Sequence, residues 1–112
     1  MKKSIPAVYV GTFHRVEYTS SLKALENCDS GFAWLRKDGR IHSINIKIKG
    51  TGIGTRNLYV HLAEEIPEHE PSWLWDGNEE RPTLGPSIDC IDGNTGESVW
   101  HGYLENGHFR EV

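Results

Sequence analysis

Sulfur and long apolar runs are what this chain has least of. It has two cysteines, Cys28 and Cys90, and without an export signal they read as reduced thiols and not as a disulfide. No Cys-x-x-Cys, His-x₃₋₅-His or His-Glu-x-x-His occurs, so a metal could come only from scattered ligands. Nothing approaches 18 consecutive apolar residues, and Met1-Lys2-Lys3-Ser4-Ile5-Pro6 has basic residues but no apolar segment of the length a signal peptide needs. Neither membrane insertion nor export is indicated, and the expected location is the cytoplasm.

What is present describes a domain that folds. The 112 residues suit a single domain spanning 1–112. Apolar residues make up 37% and charged residues 25%, with four Trp and four Tyr, which is too aromatic for a disordered chain. The net charge of −4 conceals a division along the sequence. Residues 1–63 carry ten Lys/Arg against four Asp/Glu, and residues 64–112 carry two Arg against twelve acids. Seven acids fall between Glu64 and Glu80 with no Lys or Arg among them, a stretch that could steer a basic partner or simply be a solvated loop.

The pattern along the chain predicts a mainly β (α+β) fold. Antiparallel hairpins and a C-terminal meander would form a small sandwich or a partly open barrel. Ala7 to Tyr18 reads as a strand bent at Gly11, and Ser20 to Asn27 as one short helix with a serine able to cap it. Asp38-Gly39, between Phe32–Lys37 and Arg40–Lys49, is the strongest hairpin signal. In its second arm His42, Ile44, Ile46 and Ile48 share one face while Asn45, Lys47 and Lys49 share the other, predicting one buried side and one wet side. After a glycine-rich turn, Leu58 to Leu62 reads as a further strand. Glu64 to Pro86 carries four prolines that forbid a long helix or a central strand. Segments 87–91, 97–104 and 108–112, separated by Gly/Asn turns, predict a three-strand meander.

The most distinctive residues are Trp73-Leu74-Trp75-Asp76-Gly77-Asn78, then Pro82-Thr83-Leu84-Gly85-Pro86-Ser87-Ile88, then Trp100-His101-Gly102-Tyr103. In this order they resemble a family of small tailed-phage and prophage proteins sometimes mislabelled as ammonia monooxygenases. The resemblance covers roughly the C-terminal third and implies a mobile-element origin without an assigned activity. Other members carry paired cysteines upstream that look like zinc ligands; only Cys28 stands in that region here, so the sequence departs from that pattern.

The segment offers two kinds of chemistry. Trp73 and Trp75 could be exposed contact anchors or could close the core. Asp76, Asn78, Thr83 and Ser87 could bind a ligand or hold the turns in shape, the second being the commoner use. His42, His61 and His101 lie on predicted strands and could converge or be unrelated. No Gly-x-Ser-x-Gly elbow is present, and Ser87 has no partner at the level of motif. The Gly50-x-Gly52-x-Gly54 run matches no phosphate loop, and the basic half is too weakly charged, beside so acidic a neighbour, to favour direct nucleic-acid binding.

The preferred expectation is therefore a stoichiometric binding protein, an inhibitor of a host defence factor, needing no cofactor. It would meet a basic host-protein surface through Trp73, Trp75, Asp76, Asn78, Glu79, Glu80, Thr83, Ser87, His101 and Tyr103. One alternative is a sponge whose Trp73, Trp75, His101 and Tyr103 line a pocket for a nucleotide-like ligand. Another is an enzyme using His101 with Asp76 or Cys90, with or without zinc.

Overall fold

A computed structural model describes residues 4–52 and 54–112. Among them the chain forms β1 (Ser4–Pro6), β2 (Val8–His14), α1 (Tyr18–Glu26), β3 (Gly31–Lys37), β4 (Arg40–Lys47), β5 (Thr55–His61), β6 (Trp73–Trp75), β7 (Leu84–Gly85), β8 (Ile88–Ile91), β9 (Ser98–Glu105) and β10 (His108–Glu111). A four-stranded sheet runs β1-β10-β9-β8 and a six-stranded sheet runs β2-β3-β4-β5-β6-β7. Their inner faces share one core. Phe32, Trp34, Ile44, Ile46, Leu58, Val60, Trp75 and Leu84 come from the larger sheet, and Ile88, Cys90, Trp100, Leu104 and Phe109 from the smaller. The expected small sandwich is what forms, each buried large side chain contributing about 1.5–3 kcal/mol.

The β3–β4 hairpin forms as its turn residues require. Asp38 and Gly39 take φ of 52° and 77°, the left-handed pair that matches the twist of the flanking strands. The meander forms too, with β8, β9 and β10 antiparallel, and β1 completes its edge by pairing with β10.

Five expectations need correction. The first strand stops at His14, whose Nδ1 accepts from the Val16 N–H while Glu17 reaches back to the His14 N–H at 2.9 Å. This local capping diverts Arg15–Glu17 into a 3-10 turn. The helix consequently starts at Tyr18, and no serine caps it.

The second face of β4 is not wet. α1 lies across it, Ser43 and Asn45 are fully buried, and β3 buries five consecutive residues. Tertiary covering has overridden the alternation. The sheet is also mixed, since β2 pairs parallel with β3 and β5 parallel with β6. Finally, β6 lies inside the sheet between β5 and β7. The prolines flank it instead of interrupting it.

Candidate functional site

The C-terminal motif segments converge, and most of their polar side chains shape the loop between β6 and β7. Asp76 Oδ1 accepts from the N–H groups of Asn78 at 3.1 Å and Thr83 at 3.2 Å. Asn78 Oδ1 accepts from Glu80 N–H at 3.1 Å and Arg81 N–H at 2.9 Å. Thr83 Oγ1 accepts from the Asn106 N–H at 2.9 Å, joining this loop to the last hairpin. These are the side chain to backbone bonds that a turn needs when its own N–H groups have no strand partner.

The tryptophans face inward. Trp75 is 7% exposed, packs against Trp34 at 4.6 Å between ring centroids, and donates its indole N–H to the Asn78 carbonyl at 3.1 Å. It belongs to the core and is not an exposed anchor, though one edge of it lines the apolar hollow at Leu74. Trp73 is half-buried and donates to the Ser87 carbonyl at 3.2 Å. Glu79 is tied down as well: its carbonyl accepts from the Trp34 indole at 2.8 Å and its carboxylate faces Arg36 at 3.8 Å. Glu80 is exposed. Tyr103 lies beneath the Arg110 guanidinium at 4.7 Å.

Arg40 pairs with Glu65 at 3.1 Å and with Glu68 at 3.9 Å. With the Arg36–Glu79 pair, these contacts fold part of the acidic stretch back onto the basic half.

One pair differs in character from this scaffolding. Ser87, at the entry to β8, and His101, on β9, stand with Oγ and Nε2 3.0 Å apart. The pair bridges the second and third motif segments, so Ser87 has the partner that its sequence context did not supply. The backbone of both residues is clamped. Trp73 holds the Ser87 carbonyl, and the Val112 N–H donates to the His101 carbonyl at 2.9 Å. His101 is exposed while its neighbours Trp100 and Gly102 are buried. Asp89 lies opposite His101 in register, but its Oδ1 accepts from the Ser98 hydroxyl at 2.5 Å.

The other expected partners of His101 are elsewhere. Cys90 is a free, buried core thiol whose pKa burial pushes upward. Asp76 is engaged with its own loop, and His42 and His61 sit together on the larger sheet, away from His101. Of the two readings of His42, His61 and His101, convergence of all three is not what the structure has: His42 and His61 share a cleft that His101 does not line.

His42 and His61 line a cleft of about 230 Å³ with His69, Ser72, Tyr59, Glu64 and Glu68. His61 Nδ1 and Ser72 Oγ lie 2.8 Å apart, a second Ser–His contact. His42 occupies a β-bulge: Leu35 pairs with Ser43 and Arg36 with Ile41, which leaves His42 without a partner on β3. Both ring nitrogens of His42 are buried, with no hydrogen-bond partner among the described residues, a state that costs about 1–3 kcal/mol per group. Burial, reinforced by Arg15, Lys37 and His69, holds its pKa below the usual imidazole value. Ligand atoms of His42, Glu68 and His69 lie within 4.8 Å of one another and could hold a metal ion. Sequence spacing did not reveal this set, because His42 is separated from the other two by the rest of β4, a turn, β5 and the start of the loop that follows it.

Among the described residues no helix is long and apolar enough to cross a membrane. Residues 53–112, just over half of the chain, match the family described as bacterial ubiquitination-like system serine protease (BubE), and the chain belongs to that family. The matched region contains all three motif segments and both Ser–His contacts. Neither a curated protein nor a solved structure matches the chain.

Proposed function

We propose that this protein is a serine hydrolase that cleaves a polypeptide within a bacterial ubiquitination-like system, with Ser87 as nucleophile and His101 as general base. The observation that carries the reading is the 3.0 Å Ser87–His101 contact, made by two residues of separate motif segments inside the region that matches a serine protease family. A serine hydroxyl is a weak nucleophile until a base within hydrogen-bond reach takes its proton. His101 Nε2 is so placed. It removes the Ser87 proton as Oγ attacks the scissile carbonyl, then returns it to the leaving amine as the C–N bond breaks. Water, activated by the same imidazole, releases the acyl group from Ser87.

No carboxylate among the described residues hydrogen-bonds His101, so the working unit is a dyad whose geometry comes from backbone clamps. Ser87 and His101 line neither the cleft at His42 nor the apolar hollows at Leu74 and at Val16. An open site on a sheet face suits an extended chain better than a small metabolite, which binds where a concave pocket can surround it.

Fluorophosphonate labelling followed by peptide mapping tests the assignment. Label is expected on Ser87, lost in Ser87→Ala and reduced about 10²–10⁴-fold in His101→Ala. Ser72→Ala is the internal comparison, since His61 and Ser72 form the other contact; label on Ser72 would move the nucleophile to the cleft. The stoichiometric-inhibitor expectation makes the opposite prediction. No serine would be labelled, and charge reversal at Glu79 and Glu80 would weaken partner binding and flatten its salt dependence.

A further inference from the structure

We infer that His42, Glu68 and His69 form a second site, separate from Ser87 and His101, that binds one zinc ion and leaves a coordination position open to the cleft. The three side chains supply two imidazoles and a carboxylate, a donor set suited to zinc. Their ligand atoms lie within 4.8 Å of one another. Tetrahedral zinc with ligands about 2.1 Å away holds them roughly 3.4 Å apart, so a closure of at most about 1.4 Å completes the site. Glu68, exposed and on a loop, has the freedom to make that movement.

Two features show a position built for a ligand. The first is His42, whose nitrogens are buried without a hydrogen-bond partner among the described residues. Burying an imidazole without hydrogen bonds is unfavourable; a metal ion takes the lone pair of one nitrogen and so relieves one of the two unpartnered positions. The bulge leaves His42 without a partner on β3 and the residue lines this cleft, a common use of bulges beside functional sites. The second is the fixing of the rings. His69 stacks on Tyr59 with centroids 4.1 Å apart and planes at 18°, and His42 meets both edge-on, at 5.2 Å from Tyr59 and 5.4 Å from His69. Aromatic packing thus orients two ligands before the metal arrives, which lowers the entropy lost on binding.

Arg40 is the competitor, at 3.9 Å from the Glu68 carboxylate. That pair is largely exposed and correspondingly weak, so zinc displaces it. Three protein ligands and a cleft-facing fourth position make a site of the open kind, able to hold water or a donor from a bound molecule.

The test uses the full chain stripped of metal, dialysed against buffered Zn²⁺, with bound metal measured by elemental mass spectrometry and unfolding followed by circular dichroism. The expected result is one zinc per chain and a rise in Tm of at least about 5 °C at saturating metal. His69→Gln should lose the zinc and the rise, Glu68→Gln should weaken binding at least about tenfold, and His108→Gln should change neither. Absence of stoichiometric zinc, or full retention of zinc in both His69→Gln and Glu68→Gln, would overturn the assignment. Glu68 is exposed, so its variant decides the matter if His69→Gln fails to fold. Serine labelling at Ser87 is a separate readout and can fail or succeed independently.

Discussion

Replacing Gly102 by alanine is the perturbation that best joins stability to the proposed chemistry. Gly102 sits on β9 directly after His101, opposite Ile88 on β8 and Glu111 on β10. A Cβ there would stand 2.7 Å from two ring atoms of Trp100 and would collide with the Arg110 carbonyl oxygen. The ring is held in the core against Phe109 at 6.1 Å, and the carbonyl belongs to the neighbouring strand, so neither yields freely. Overpacking of a filled core costs about 1–3 kcal/mol, and moving β10 aside also strains the ladder, placing the expected loss near 3 kcal/mol. In a domain of this size that lowers Tm by roughly 12 °C or more. Thermal unfolding by circular dichroism measures it, and fluorophosphonate labelling at a temperature where the variant is folded reports whether His101 has moved from Ser87. Gly102→Ala within about 0.5 kcal/mol of the parent, the usual range for inconsequential changes, would refute the reasoning.

Two further outcomes follow from the larger sheet and the last hairpin. Asn45→Ala removes a fully buried amide whose Nδ2 donates to Ser21 Oγ at 2.9 Å and whose Oδ1 accepts from Asn57 at 2.8 Å; leaving those partners short should cost about 2–3 kcal/mol, read as a lower urea midpoint. The Arg110 guanidinium donates to Glu105 at 2.6 Å and holds its carboxyl pKa below the usual value of 4.5. A depressed folded-state pKa gives stability that is present above about 4.5 and is lost as pH falls through the folded value. Glu105→Gln should therefore flatten the acid limb of the stability–pH curve and leave the curve near pH 8 little changed in slope. An unaltered acid limb would show that this half-exposed pair contributes nothing.

Elements whose cause is local were legible from residue order. Asp38-Gly39 specifies its turn by backbone conformation alone, and Gly96 and Asn106-Gly107, also at positive φ, mark the breaks of the meander in the same way. Elements decided by what lies above them were not. The polar face of β4 became interior because α1 covers it, and Asn45 is accommodated there by its Ser21 and Asn57 partners. Nothing in Ser43-Ile44-Asn45-Ile46 announces that cover. The parallel pairs were equally hidden, since α1 carries the chain from β2 back to a parallel β3, and periodicity records a strand without recording its neighbour. His14 is the converse case: its capping box with Glu17 is local, but it sits inside a β-branched and aromatic run whose composition signals strand.

The Ser–His contact was hidden for a geometric reason. Ser87 just precedes β8 and His101 lies on the neighbouring β9, and between them come a bulge at Cys90/Ile91 and the turn from Asp92 to Glu97. In an ideal ladder the residue facing His101 is Asp89, as the register has it. Ser87 stands two residues earlier, on the same side of the pleat, and reaches the imidazole diagonally from just outside the strand. A one-residue change of register would put Ile88 or Cys90 on that side instead and bury the histidine's partner. The bulge, the Gly102 contact with Trp100 and the Trp73 bond to the Ser87 carbonyl together select the register that leaves both polar groups outside. The motif segments therefore serve as a register lock first, and the dyad is the consequence of the lock.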